Sequence, residues 1–298
     1  MMTSRTLPAL LLLFAALPAA AQEAPATEPV RPPEGSVIIN LPSAEVNGPK
    51  VLELMITHRF AGAVSGSDIH SLFSFDSGAD VNIGLSYVPL KNLEIALLRG
   101  RSLEDYELSA KYRFILPAES PLGLALRVGG NARTGSVPEF EGVSTCESPR
   151  PAFCAYFDNR YGFFTQAIVA VTLFSRVQIT AVPTYVSRAA QAFDVPTDYS
   201  GIHKDVFNIP FAVAIAATRS VNIHGEVVPR ISRANSGGVG WIVALEKTVL
   251  RHRFAFTVGN LRPTTVDQYI GADFIGKNNL RLPRDYYLGF NIVRQWKL

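Results

Sequence analysis

Val81, Ile83, Leu85 and Tyr87 alternate with Asp80, Asn82, Gly84 and Ser86 along the segment A-D-V-N-I-G-L-S-Y-V-P-L, Ala79 to Leu90. A period of two describes a strand with one apolar and one polar face. Comparable segments recur to the end of the chain. The alternation predicts about twelve strands, near 51–60, 79–88, 92–100, 104–116, 121–133, 161–174, 176–187, 207–218, 220–232, 238–249, 251–260 and 285–297. Each is long enough for a tilted membrane crossing, which needs roughly 9 to 11 residues. Central strands of a soluble sandwich tend to be apolar, whereas here carboxylates, amides and arginines match the apolar positions on nearly every strand. A closed barrel in lipid, apolar outside and polar inside, satisfies such a chain. The expected fold class is all-β: a transmembrane antiparallel up-and-down β-barrel of about twelve strands.

The connections alternate in length independently of the hydrophobic pattern. Pro89-Leu90-Lys91, Pro117 to Ser120, Ser175, Arg219 and Leu250-Arg251 are tight, while 61–78, 134–160, 188–206 and 261–284 are long; 101–103 and 233–237 read as short loops on the long-loop side. Bacterial barrels have short periplasmic turns and longer external loops, so an even strand count puts both termini in the periplasm.

Ahead of the barrel, Arg5 precedes the apolar run Leu7 to Ala21, too short for a comfortable membrane span and closed by small residues. It reads as a secretory signal at 1–21 with cleavage after Ala21, which implies a Gram-negative envelope. Residues 22–48, with Pro25, Pro29, Pro32, Pro33 and Pro42, read as a periplasmic linker, either disordered or tucked into the barrel mouth through its apolar patch Val37 to Leu41. The barrel then occupies 49–298. Losing Arg5 leaves 27 basic and 25 acidic residues, a balance that makes no case for nucleic acid. The outer-membrane lipid and, during biogenesis, the barrel-assembly machinery are the partners this layout implies.

Outward aromatics fall near strand ends. Phe60, Tyr106, Tyr185, Phe207, Trp241 and Tyr286 lie toward one rim and Tyr87, Tyr112, Phe114 and Trp296 toward the other, as two interfacial girdles would. The outward charges His58, Arg99, Lys247 and Arg294 also lie near strand ends, where side chains snorkel into headgroups. The last strand places Leu288, Phe290, Ile292, Trp296 and Leu298 on one face and looks like the C-terminal signal of outer-membrane barrels. It departs from that signal in ending on Leu298 and in carrying Arg294 on the same face. The opening strands, I-T-H-R-F (Ile56 to Phe60) and L-F-S-F-D-S-G-A-D-V-N-I-G-L-S-Y (Leu72 to Tyr87), resemble those of a bacterial family of predicted outer-membrane β-barrels, a domain of unknown function. The resemblance covers about the first third of the barrel domain. It implies a fold and a location and no mechanism.

Function in a barrel without catalysis lies in the lumen. The inward phase carries Arg59, Glu94, Glu107, Lys111, Arg113, Arg127, Glu226, Arg230, Glu246 and Arg253, with Glu53, Asp80, Arg133 and His224. Both signs are present, which describes either salt-bridged ladders filling the lumen or a narrow path whose selectivity is set by Arg113, Arg127, Arg230 and Arg253 facing Glu107, Glu226 and Glu246. Inward Gly84, Gly123, Ala125, Ala212, Ala214 and Ala216 leave room for water or for the N-terminal tail.

His224 beside Glu226 is the sole internal pair with catalytic potential and reads more simply as a satisfied lumen contact. His58, His70, His203 and His252 lack metal-ligand spacing, so no metal, cofactor or catalytic residue is assigned. Cys146 and Cys154 share one long loop of an exported chain and are expected to form a disulfide. The sequence therefore predicts a narrow passive channel for small solutes or ions, or a largely plugged structural barrel. The reading from another class is a non-conducting scaffold that engages an envelope partner through its external loops or its tail.

Overall fold

The computed structural model describes residues 35–64, 67–101, 104–117, 120–134, 161–187, 205–229, 239–271 and 286–298. Fourteen strand segments form one antiparallel sheet that closes on itself. They are β1 (Val51–Phe60), β2 (Ala79–Leu90), β3 (Leu93–Gly100), β4 (Asp105–Arg113), β5 (Leu122–Arg133), β6 (Tyr161–Leu173), β7 (Val177–Ala181), β8 (Thr184–Ser187), β9 (Val206–Asn208), β10 (Phe211–Ala216), β11 (Val221–Val228), β12 (Gly240–Val249), β13 (His252–Gly259) and β14 (Tyr287–Lys297). Neighbours in sequence pair in space, and Val51 opposite Lys297 in β1 and β14 completes the circle.

The fourteen segments make twelve staves. β7 and β8 both pair with β6 and are one stave interrupted at Val182-Pro183; β9 and β10 are one stave interrupted at Ile209-Pro210. Proline has no N–H to give the ladder, and at these two prolines the strand pairing is interrupted. The gaps are bridged by the prolines' carbonyls: Pro183 accepts from Ala167 N–H and Pro210 from Val182 N–H, each at 2.9 Å. The twelve predicted strands lie where the alternation put them, within a few residues at each end.

Burial is inverted relative to a soluble protein. Glu53, Arg59, Glu107, Lys111, Gln166, Asn222 and Glu226 are buried, while Ile83, Leu85, Leu97, Leu108, Val128, Ile223 and Leu245 are exposed around the outside. Register explains the continuity of this apolar belt. Leu54 of β1 stands opposite Leu85 of β2, which stands opposite Leu97 of β3, which stands opposite Leu108 of β4.

The interior holds two segments that are not staves. Residues 35–47 run inside the barrel from the short-turn end, burying Ile38, Ile39, Leu41 and Ala44. From the long-loop end, the chain after β13 folds inward through a short helix, α1 (Val266–Gly271), and buries Leu261, Val266, Tyr269 and Ile270. Both pack on a wall of small residues that includes Ala125, Ala170, Ala212, Ala244 and Ala255. At Gly123 an added methyl would come within 3.0 Å of Ala44, so the absence of a side chain there makes room for the insert.

Candidate functional site in the barrel lumen

Glu226 projects inward from β11 because its neighbours Gly225 and Val227 take the opposite phase. Its carboxylate accepts from three consecutive backbone amides of the insert: Ile39 N–H at 2.8 Å, Asn40 N–H at 2.9 and 3.1 Å, and Leu41 N–H at 2.9 Å. Three adjacent amides aimed at one anion form a fixed concave donor site, and charge-assisted bonds of this type are the strong ones. On β1, Arg59 points into the lumen, donating to Asn40 Oδ1 of the insert at 3.0 Å and to Asn291 Oδ1 of the adjacent β14 at 2.8 Å. Asn291 in turn donates to the Ile39 carbonyl at 2.9 Å. The Arg59 side chain passes close over Gly289, where an added methyl would collide with the His58 carbonyl, Arg59 Cδ and Thr257 Oγ1.

A second anchor lies nearer the short-turn end. Lys111 of β4 donates to the Ser36 carbonyl at 2.8 Å and the Glu45 carbonyl at 2.7 Å, and faces Glu94 of β3 at 3.5 Å. Glu53 accepts from Ser36 Oγ at 3.2 Å and from Gln295 Nε2 at 2.7 Å. Arg113 meets Glu45 of the insert at 2.8 Å in a half-exposed pair.

Toward the long-loop end the partner is α1. Glu107 pairs with Arg127 at 2.5 Å and also accepts from Val266 N–H at 2.8 Å. Arg127 donates to Ser109 Oγ and Gln166 Oε1, each at 3.1 Å, and lies over the Phe164 ring. Arg133 holds Asp267 through two bonds of 2.9 and 3.1 Å, and Asn131 adds a third at 3.0 Å. Gln166 donates to the Tyr269 hydroxyl at 3.1 Å. Burial pushes the Tyr269 phenol up from its usual range, so it stays neutral in the lumen.

The remaining sequence candidates are distributed as follows. Arg253 lies between Glu246 at 3.7 Å and Glu53 at 3.6 Å. His224 sits 3.6 Å from Glu246, whereas the pairing expected for it was with Glu226, which is engaged by the insert's amides. Arg113 likewise joins the insert and not the inward carboxylates it was set against. Arg230, Cys146 and Cys154 fall outside the described residues, as do the signal segment and the first part of the tail.

Sequence reasoning missed Asn40, Asn291, Asn131, Gln166, Asp105 and Asp267, all buried. Inward amides at Asn131, Gln166 and Asn291 obey the same period of two as the charges and were readable from it. Asp267 lies in α1, outside the strands, and carried no period-two signal. Among the described residues, no group of three or more His, Cys, Asp or Glu side chains is placed to hold a metal ion.

Between the insert and the β1–β3 wall remains a cavity of about 40 Å³, lined by Asn40, Thr57, Asn82, Gly84, Glu94 and Leu98, among others. That is room for roughly three waters. Asn40 Nδ2, Thr57 Oγ1, Asn82 Oδ1 and Glu94 Oε2 have no hydrogen-bond partner among the described residues. The cavity can hold a few waters between the insert and the wall.

The barrel is similar in shape to several solved outer-membrane barrels. Against the COG4313 outer membrane channel from Pseudomonas putida F1 the TM-score is 0.49 at 11% identity, covering 84% of this chain and 97% of that one. Against NanC porin it is 0.46 at 10% identity, covering 83% and 100%. Against outer membrane phospholipase A from Escherichia coli it is 0.41 at 11% identity, covering 88% and 98%. No curated protein matches the sequence. The family described as "Membrane bound beta barrel domain (DUF5777)" matches residues 34–296, from the edge of the insert to the last stave, in agreement with the resemblance of the opening strands. The chain belongs to this family of membrane-bound β-barrels.

Proposed function

We propose that this protein is an outer-membrane barrel held closed at rest by its own chain. It serves as a structural or scaffold barrel and passes small solutes only when the insert is displaced. The short-turn end, where the last stave ends and residues 35–47 enter the lumen, faces the periplasm, as short turns do in bacterial barrels. The observation that carries this reading is the grip of Glu226 on three consecutive amides of the insert, at 2.8 to 3.1 Å, inside a membrane barrel. A bond set of this kind is not needed to fill space; small apolar side chains would do that. It is the arrangement expected of a segment that must stay in register within a polar lumen.

The second reading, a narrow passive channel, is favoured by the polar-lined cavity beside Gly84. Planar bilayer recording separates the two. Full-length protein should be silent, and Glu226→Ala should show intermittent openings as the insert leaves. Discrete openings of the unaltered protein at rest would overturn the closed reading in favour of the channel.

A further inference from the structure

Arg294 breaks the apolar outer face of the last stave, and nothing in the lumen accounts for it. Its side chain donates to His252 Nε2 at 2.8 Å and lies over the Trp296 ring at 5.1 Å. His252 is itself stacked on Phe254, with ring centroids 5.9 Å apart and planes 11° from parallel. The register puts Arg294 directly opposite His252 on one side and Leu54 on the other. Four planar groups thus line up on the lipid-facing wall, Phe254, His252, Arg294 and Trp296, about two residues inside the end of the stave. No described carboxylate pairs with Arg294; the nearby acids Glu53 and Glu45 point inward, held by Gln295 and Arg113.

The wider rim has the same sign. Among the described residues the short-turn end carries Lys50, Lys91, Arg176, Arg219, Arg251 and Lys297, while its acids outside the insert, Glu53 and Glu94, are buried in the lumen; Glu119 of the sequence lies outside the described residues. Basic residues gathered at a membrane surface attract anionic lipid. A guanidinium already fixed by stacking and by one hydrogen bond loses little freedom on binding and keeps its other N–H groups for a phosphate oxygen. Because a guanidinium can only donate, Nε2 of His252 accepts in this contact, and Nδ1 is the ring nitrogen left to act as a donor.

We propose that Arg294, His252 and Trp296 form a binding site for the phosphodiester of an anionic phospholipid at the short-turn end of the barrel. The site rests on the barrel's seat in a membrane and not on whether the lumen is closed, because all three side chains are outward. Its stacked residues fix the headgroup at the seam where the last stave meets β13, beside the closure with β1. Arg294, which weakened the last strand as an assembly signal, is thereby explained as a lipid contact.

The test uses purified full-length protein in a neutral detergent, titrated with phosphatidylglycerol or with phosphatidylcholine of the same acyl chains, bound lipid being read by native mass spectrometry. Phosphatidylglycerol should bind in preference, and Arg294→Gln should weaken it by about tenfold, the size of one lost charge-assisted bond. Arg294→Lys should fall between the two, since it keeps the charge without the planar stack. Arg99→Gln, which removes an outward arginine lying over Tyr106 near the opposite rim, should leave binding unchanged. Equal binding of the two lipids, or unaltered affinity in Arg294→Gln, would overturn the proposal. So would full displacement by millimolar inorganic phosphate, which would mean a site for a free anion. Should Arg294→Gln fail to fold, Trp296→Leu gives the same reading, because the loss of stacking must lower phosphatidylglycerol affinity. Silence or conductance in bilayers bears on the lumen alone, so failure here and failure of the closed-barrel reading are told apart.

Discussion

Replacing Glu226 by alanine removes the acceptor of three consecutive backbone amides without touching the outer wall. Ile39, Asn40 and Leu41 donate at 2.8 to 3.1 Å, and the donors and the carboxylate are all buried. A hydrogen bond to a charged group contributes about 1.5–3 kcal/mol, and a buried N–H left without a partner costs about 1–3 kcal/mol. Because the three bonds share one carboxylate they do not add fully, and a loss of about 3–6 kcal/mol in the docking of the insert is expected. Arg59 and Asn291 still hold Asn40 and Ile39, so the insert opens locally while the staves stay paired.

The assay is amide hydrogen exchange read by mass spectrometry on the protein in detergent. Protection over residues 36–47 should fall by at least about a hundredfold, which corresponds to the lower end of that range, while β11 and β12 remain protected. Glu226→Gln, which keeps one acceptor oxygen, should fall less. Glu45→Ala breaks a pair whose side chains are 40% and 28% exposed and should cost no more than about 1 kcal/mol. Unchanged exchange at Ile39 to Leu41 in Glu226→Ala would refute the claim that this carboxylate holds the insert.

Leu85 is 46% exposed on the outer wall and Ser86 lines the internal cavity. Leu85→Arg should therefore cost about 2–4 kcal/mol in folding titrations into vesicles if it lies near mid-membrane. Ser86→Arg should leave insertion intact yet raise exchange in residues 36–47, because the space it needs is taken by the insert. Arg127→Ala leaves Glu107 buried beside α1 without its cation and should lower stability in urea by about 3–5 kcal/mol; a change below 1 kcal/mol would remove this pair from the list of lumen supports. For Cys146 and Cys154, thiol labelling of freshly purified protein should detect no free thiol before reduction and two after it, and free thiols at the outset would reject the disulfide.

The staves were legible in the sequence because side-chain direction in a strand is a local property. Once Val81, Ile83 and Leu85 face one way, Asp80, Asn82, Gly84 and Ser86 must face the other, whatever the rest of the chain does. The same rule put Arg59, Glu94, Glu107, Lys111, Arg127, Glu226, Glu246 and Arg253 inside, and the alternation of tight and long connections ordered the staves around the barrel. The breaks at Pro183 and Pro210 fall inside segments expected to be continuous, 176–187 and 207–218, although proline's missing N–H was a signal for them. What a period of two cannot state is which inward side chains meet. That depends on register around a closed circuit, and on segments outside the periodic pattern. Glu226 finds its partners 185 to 187 residues away in the insert, and Glu107 finds Val266 across 159 residues. Arg113 goes to Glu45 and His224 to Glu246 for the same reason. The sequence alone determined a barrel with a charged interior and small residues that leave room within it. Only closure of the tertiary structure decided that residues 35–47 and α1 take that room, because a buried charge accepts whichever donors the fold brings within hydrogen-bond distance, and those donors are backbone amides that no side-chain pattern encodes.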